Sequence, residues 1–77
     1  MRDRHPVSDH NLFRRTAVPD LYCAVPEGRP VPAFIRAPEW EFAGTQKAGT
    51  PVPVGFRARA ACVALRHRGF YAFHRIH

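Results

Sequence analysis

One helix is predicted in this chain, over about residues 55–67, and it limits the fold to a single helix combined with strands. The segment GFRARAACVALRHRG, residues 55–69, places four arginines among small apolar residues. Gly69 is well placed to end the helix in a left-handed cap. The arginines are therefore either a binding surface or the solvated edges of a structural helix.

The predicted helix has two apolar faces separated by arginines. At about 100° per residue, the bulkier face consists of Phe56, Ala60, Val63, Ala64 and His67. The smaller face consists of Ala58, Ala61, Cys62 and Leu65. One ridge between them is formed by Arg57 and Arg68, and the other by Arg59 and Arg66. We predict that the bulkier face packs on a sheet. The smaller face is then either an exposed small-residue surface or a contact surface for a partner, with the arginines as its rim.

Three short strands are predicted before the helix and a fourth after it, at residues 21–25, 31–36, 39–43 and 70–76. The turn Pro-Glu-Gly-Arg suits a tight hairpin between the first two strands. Pairing across that turn places three apolar pairs on one face: Leu21 with Ile35, Cys23 with Ala33, and Val25 with Val31. Trp40 and Phe42 fall on the same face. The prediction is an α+β fold in the order β-β-β-α-β, an antiparallel sheet of three to four strands with the helix packed on it.

The N-terminal part is predicted to be a flexible basic arm, residues 1–19, because it shows no sustained hydrophobic period. Residues 20–77 are predicted to form a single α+β domain. The N-terminus has no apolar run of signal-peptide length, and no segment approaches the roughly 20 apolar residues of a membrane span. We therefore expect a cytoplasmic protein without a membrane partner.

The chain has a basic balance, with twelve Lys and Arg residues against six Asp and Glu, for a net charge of +6 at pH 7. Such a charge on a small protein attracts phosphate backbones and acidic protein surfaces. The expected partner-binding residues are arginines of the helix and the arm with one leucine: Arg57, Arg59, Arg66, Arg68, Leu65, Arg14 and Arg15. On the sheet face opposite the predicted apolar one, Tyr22 and Phe34 are candidates for stacking on nucleic-acid bases.

Catalytic, metal and cofactor sites are not predicted. Cys62 and His67 point about 140° apart on a helix, so they cannot form a Cys–His nucleophile pair. No spacing of His and Cys matches a zinc site. A metal-free ribonuclease needs little more than a histidine and a cation, and His74 with Arg75 and Tyr71 could supply them on the last strand.

The cysteine count argues against structural disulfides. Two cysteines, Cys23 and Cys62, are too few for a disulfide framework. We expect two reduced, buried thiols.

These observations favour a small non-enzymatic interaction or inhibitor protein that binds a surface of a larger protein or nucleoprotein complex through arginines. Phage and mobile-element proteins that block host defences, anti-CRISPR inhibitors among them, are similar in size and often lack recognisable motifs. The alternative is a weakly specific nucleic-acid-binding protein, and a second alternative is the toxin-like ribonuclease. Both a monomer and a homodimer are compatible with the thin predicted core.

Overall fold

The computed structural model describes residues 9–76. Its elements, in chain order, are β1 (His10–Arg15), β2 (Val18–Pro26), β3 (Trp40–Gln46), α1 (Ala58–Arg68) and β4 (Tyr71–His74). The predicted α+β class and the order β-β-β-α-β are confirmed. The strands form one antiparallel sheet in the order β3-β1-β2-β4. Among residues 9–76 there is no helix long and apolar enough to cross a membrane.

Strand β1 lies inside the segment predicted to be a flexible arm, and that prediction is wrong for residues 10–15. β1 occupies an inner position of the sheet, where Phe13 is opposite Cys23 of β2 on one side and Phe42 of β3 on the other. Its side chains begin with the alternation of buried and half-buried positions that a strand requires, and Leu12 lies in the core. Residues 1–8 of the predicted arm lie outside the described residues.

The predicted second strand, 31–36, is instead part of a loop that spans residues 27–39. The three predicted pairs of Leu21 with Ile35, Cys23 with Ala33, and Val25 with Val31 are therefore wrong. Pro30, just before that segment, and Pro32 within it lack the N–H donors that a ladder needs, and β1 takes the place beside β2. The N–H of Ile35 donates within a turn, to the carbonyl oxygen of Pro32 at 3.0 Å.

Strand β2 is covered on both faces of the sheet, since residues 22–25 are all buried. On the helix face, the side on which α1 lies, Tyr22 and Ala24 belong to the core. We call the opposite side of the sheet, which the 27–39 loop covers, the loop face. A second cluster lies there and includes Leu21, Cys23, Val25, Ile35 and Trp40. The predicted grouping of these five residues is confirmed. Helix α1 lies on the other side of the sheet from these five residues.

Helix α1 packs on the sheet through its smaller residues. Ala61 is buried, Ala64 and Leu65 pack half-buried against the core, and Val63 is 57% exposed. The prediction that the bulkier helix face is the packed one is therefore wrong. Small side chains allow the helix axis to lie close to β4, its main contact in the sheet.

Two glycines bound the segment that contains α1. Gly69 is left-handed (φ 83°), and its N–H donates to the carbonyl oxygen of Leu65 at 3.1 Å, which confirms the predicted cap. Gly55 (φ 106°) passes directly against the backbone of His74. Phe56 follows it and buries its ring against Tyr71 and Phe73 before the helix begins. Phe56, the largest residue of the predicted bulkier face, thus packs against the core from a position that precedes the helix.

Candidate functional site

The solvent-facing side of α1 is formed by Arg59, Val63 and Arg66, which we call the outer stripe. At about 100° per residue, these positions lie 140° to 160° from the buried Ala61 around the helix. Both arginines are exposed. They are seven positions apart in the sequence, so their Cα atoms are about 10.5 Å apart along the axis. The outer stripe therefore presents two guanidinium groups on either side of one exposed valine.

The arginines of α1 and its N-cap have no ionic partner in the described part of the chain. The ion pairs between residues 9 and 76 are Arg14 with Glu41, at 2.6 Å, and Lys47 with Asp9, at 3.5 Å. No side chain of the four, Arg57, Arg59, Arg66 and Arg68, donates a hydrogen bond to any residue in that range, and all four are exposed. Their charge is available to an external anion.

The whole net charge of the protein comes from its second part. Residues 42–77 contain six basic residues and no Asp or Glu, whereas residues 1–41 contain six of each. The first part is therefore neutral overall and the second carries +6. Such an asymmetry along a sequence is itself a signal of interaction with an anion. It can be read from the sequence alone, and four of the six basic residues lie on α1 or at its N-cap.

The helix macrodipole accounts for the basic residues in the last turn of α1 but not for those at its start. Arg66, His67 and Arg68 lie at the negative end, where cations stabilise a helix. Arg57 and Arg59 lie at the positive end, where the first turn contains no acid and the N-cap makes no side-chain hydrogen bond. Each arginine there costs the helix about 0.3 to 1 kcal/mol. An external anion near Arg57 and Arg59 would remove that cost.

The structure does not bring the other predicted partner-binding residues to the outer stripe. Arg14 and Arg15 lie on β1, which β2 separates from β4 and its helix. The Nε of Arg14 donates to the Glu41 carboxylate at 2.8 Å, and that carboxylate raises the pKa of Arg14 above its usual value. Leu65 is half-buried against the core, and its role in partner contact stays a prediction.

The predicted base-stacking pair does not share a surface. Tyr22 is 5% exposed and lies in the core under the helix, where it stacks on Phe73. Phe34 is 46% exposed and contacts Trp40 on the loop face. Burial removes Tyr22 from any stacking role, because its ring faces are covered by protein.

The residues of the ribonuclease alternative are also divided between faces. Tyr71 is buried on the helix face, where it joins the core, and Arg75 lies over the ring of Tyr22 on the same face. His74 is exposed and alternates to the loop face. The sheet therefore separates the histidine from the tyrosine and arginine that were expected to act with it. Among residues 9–76, no group of three or more His, Cys, Asp or Glu side chains is placed to hold a metal ion.

No family model, curated protein or solved structure matches this chain.

The two cysteines differ in environment, and the expectation of two buried thiols is wrong for one of them. Cys23 is fully buried on the loop face, and its burial raises the pKa of the thiol to about 12. Cys62 is exposed on α1. Only Cys62 is accessible to reagents in the folded protein.

Alkylation of the native protein with iodoacetamide is expected to modify Cys62 and to leave Cys23 unmodified. The thiolate is the reacting form, and a raised pKa leaves almost no thiolate on Cys23 at mildly alkaline pH. Peptide mass spectrometry before and after denaturation measures both sites, and Cys62→Ser is the control that takes up no label in the native state. Equal labelling of both cysteines in the native protein would contradict the burial of Cys23.

Proposed function

We propose that this is a non-enzymatic binding protein that places α1 against an anionic surface of a larger protein or nucleoprotein complex and acts by occupying that surface. The observation that carries the proposal is the set of exposed arginines on α1 without an ionic partner among residues 9–76. The acid-free second part of the chain supports it. Both the local contacts and the net charge favour an anion at the same helix.

The outer stripe suits carboxylate or phosphate groups. A guanidinium presents paired N–H donors that fit either anion in a bidentate geometry, and it is weakly hydrated, so its transfer into an interface costs less than that of an ammonium. Val63 lies between the two arginines and is available for apolar contact. The stripe therefore has the arrangement of a small interface, with an apolar centre and charged groups around it.

Recognition by α1 is expected to depend on the charge of the partner rather than on base sequence. Apart from its arginines and His67, the helix contains only alanine, cysteine, valine and leucine. It has no Asn or Gln, the side chains that read adenine through paired hydrogen bonds. Among base edges, its arginines fit only that of guanine. Their contacts with phosphates or carboxylates do not depend on base sequence, and long-range attraction will speed the association.

Reversal of the outer stripe, Arg59→Glu with Arg66→Glu, is expected to abolish partner capture without unfolding the protein. Each lost charge-assisted hydrogen bond costs about 1.5 to 3 kcal/mol, so affinity should fall at least about 100-fold. The effects on the helix offset each other, because Glu is favourable in the first turn and unfavourable in the last. Affinity capture from a native host lysate, comparing the parent and the variant, measures the loss.

The matched control is Arg29→Glu with Arg36→Glu, which removes the same charge from two exposed loop positions. This control variant should capture the same partner as the parent protein. Thermal unfolding followed by circular dichroism checks that both variants are folded. Capture of the same partner by the stripe variant would refute the proposal, and unfolding of that variant would show that Arg59 and Arg66 are structural.

A further inference from the structure

The loop face has two exposed aromatic rings, Phe42 on β3 and Phe34 in the 27–39 loop, and two rings that support them, Phe13 and Trp40, belong to one apolar cluster. Phe42 is 61% exposed and contacts Phe13 edge-to-face, with ring centroids 5.8 Å apart. Phe34 contacts Trp40 at 6.0 Å and Phe70 at 5.1 Å in the same geometry. We call Phe34 and Phe42, with these three supporting rings, the aromatic patch. Large apolar side chains grouped and exposed in this way mark an interaction surface.

A cation adjoins the aromatic patch. The guanidinium of Arg15 lies over the ring of Trp40, 5.5 Å from its centroid. A guanidinium stacked on a ring keeps N–H donors directed outward in its plane, where they can bond to phosphate oxygens. Glu41 of β3 faces the other side of the sheet, where it pairs with Arg14. The patch therefore combines flat rings with a positive charge that this glutamate does not neutralise.

A second copy of the chain fits this region less well. The neighbouring sheet edge is β3, and its register with β1 shifts between Leu12 and Phe13. Gly44 beside this shift has a φ of 117°. A bulge of this kind bends an edge strand and interrupts the regular row of hydrogen-bonding groups that edge-to-edge pairing needs.

We propose that the aromatic patch binds single-stranded nucleic acid, with Phe34 and Phe42 stacking on bases and Arg15 contacting a backbone phosphate. Rings that accept bases beside a cation that follows the backbone are the two components of single-strand binding. A duplex is a poor ligand because its base faces are covered by neighbouring bases. The patch lies on the opposite side of the sheet from α1, so this site is independent of the proposed function.

The experiment is a fluorescence anisotropy titration of a labelled oligothymidylate of about 12 nucleotides, within the usual range of single-strand sites. A duplex of the same length is titrated for comparison, and both titrations are made at about 50 mM salt. The parent is expected to prefer the single strand. Phe34→Ala with Phe42→Ala should weaken that binding by roughly 5- to 150-fold for each ring, with no change in net charge.

The matched control is Val54→Ala with Ile76→Ala, which trims two equally exposed apolar side chains elsewhere and should bind as the parent does. Arg15→Gln should lower the slope of log affinity against log salt by about one. If the double substitution destabilises the protein, Phe42→Ala alone is the test, because it changes the more exposed ring and is expected to leave the protein folded. It should still weaken binding to the single strand.

Results of three kinds would overturn the proposal. The first is a parent that does not bind the single strand at low salt or binds the duplex equally well. The second is a Phe42→Ala variant with parental affinity, or a sedimentation result in which Phe42→Ala dissolves a homodimer. The third is loss of the preference for single strands in the Arg59→Glu, Arg66→Glu variant, which would assign the strand to α1. Retention of that preference would separate this site from the proposed function.

Discussion

Substitution of Gly55 by alanine is expected to lower the free energy of unfolding by about 2 to 5 kcal/mol, a large part of the roughly 4 to 12 kcal/mol expected for a protein of this length. Gly55 has a φ of 106°, a conformation that costs other residues about 1 to 2 kcal/mol. A Cβ at this position would also overlap the carbonyl oxygen of His74. Overpacking of that kind adds about 1 to 3 kcal/mol.

The backbone around Gly55 cannot easily move to make room. The N–H of Ile76 donates to the carbonyl oxygen of Val54 at 2.8 Å, and the N–H of Arg75 donates to that of Asp20 at 2.8 Å. These bonds hold the end of β4 on both sides of the contact. Relief of the overlap would therefore break hydrogen bonds that position the helix segment against the sheet.

Denaturant unfolding of Gly55→Ala, followed by far-UV circular dichroism, measures this loss. The matched control is Gly49→Ala, because Gly49 has a similarly positive φ of 82° but no atom within 4 Å of an added Cβ. The control should lose only the conformational cost, about 1 to 2 kcal/mol. Equal losses in the two variants would contradict the close approach of Gly55 to His74.

Truncation of Phe56 to alanine is expected to cost about 3 to 5 kcal/mol, the range for removal of a buried phenylalanine ring. Its centroid lies 5.0 Å from that of Tyr71 and 5.2 Å from that of Phe73, in edge-to-face contacts with both. The ring of His10 lies 6.4 Å away on β1. Phe56 therefore joins the segment before α1 to two strands of the sheet, and its loss leaves a cavity at that junction.

Phe42→Ala is the matched control for Phe56→Ala, since it removes the same atoms from a ring that is 61% exposed. Its expected cost is about 1 kcal/mol or less, because surface substitutions have small effects. The two midpoints of urea unfolding should differ clearly. If they coincide, Phe56 does not form the core contact described here.

Features that depend on neighbours in sequence were predictable. The end of α1 at Gly69 and the alternation of Leu21, Cys23 and Val25 follow from local preferences, and both are present in the structure. The order of the elements followed from the same signals. The sequence did not predict strand β1, because His10 and Asn11 beside Leu12 are polar. They leave only a weak hydrophobic period in this segment.

The candidate site could be predicted only in part. The arginines of α1 were identified from composition and helical spacing, whereas their lack of ionic partners among residues 9–76 depends on where the acids lie in three dimensions. Glu41 pairs with Arg14 and not with an arginine of α1, because β3 is next to β1. Of the two exposed rings in the aromatic patch, only Phe34 was predicted to stack on bases. The exposure of Phe42 depends on a strand pairing that the sequence did not indicate.

The sequence alone determined one helix and a small sheet, both found among residues 9–76, and a basic second part, because helix and strand periods, glycine caps and charge are local properties. The tertiary structure decided which helix face is buried and which side of the sheet each aromatic ring occupies. Both depend on the pairing of segments distant in sequence, β1 with β2 and β3, and β4 with β2. In the folded protein Val63 is exposed between two arginines, and Phe42 is exposed on the same face of the sheet as Arg15.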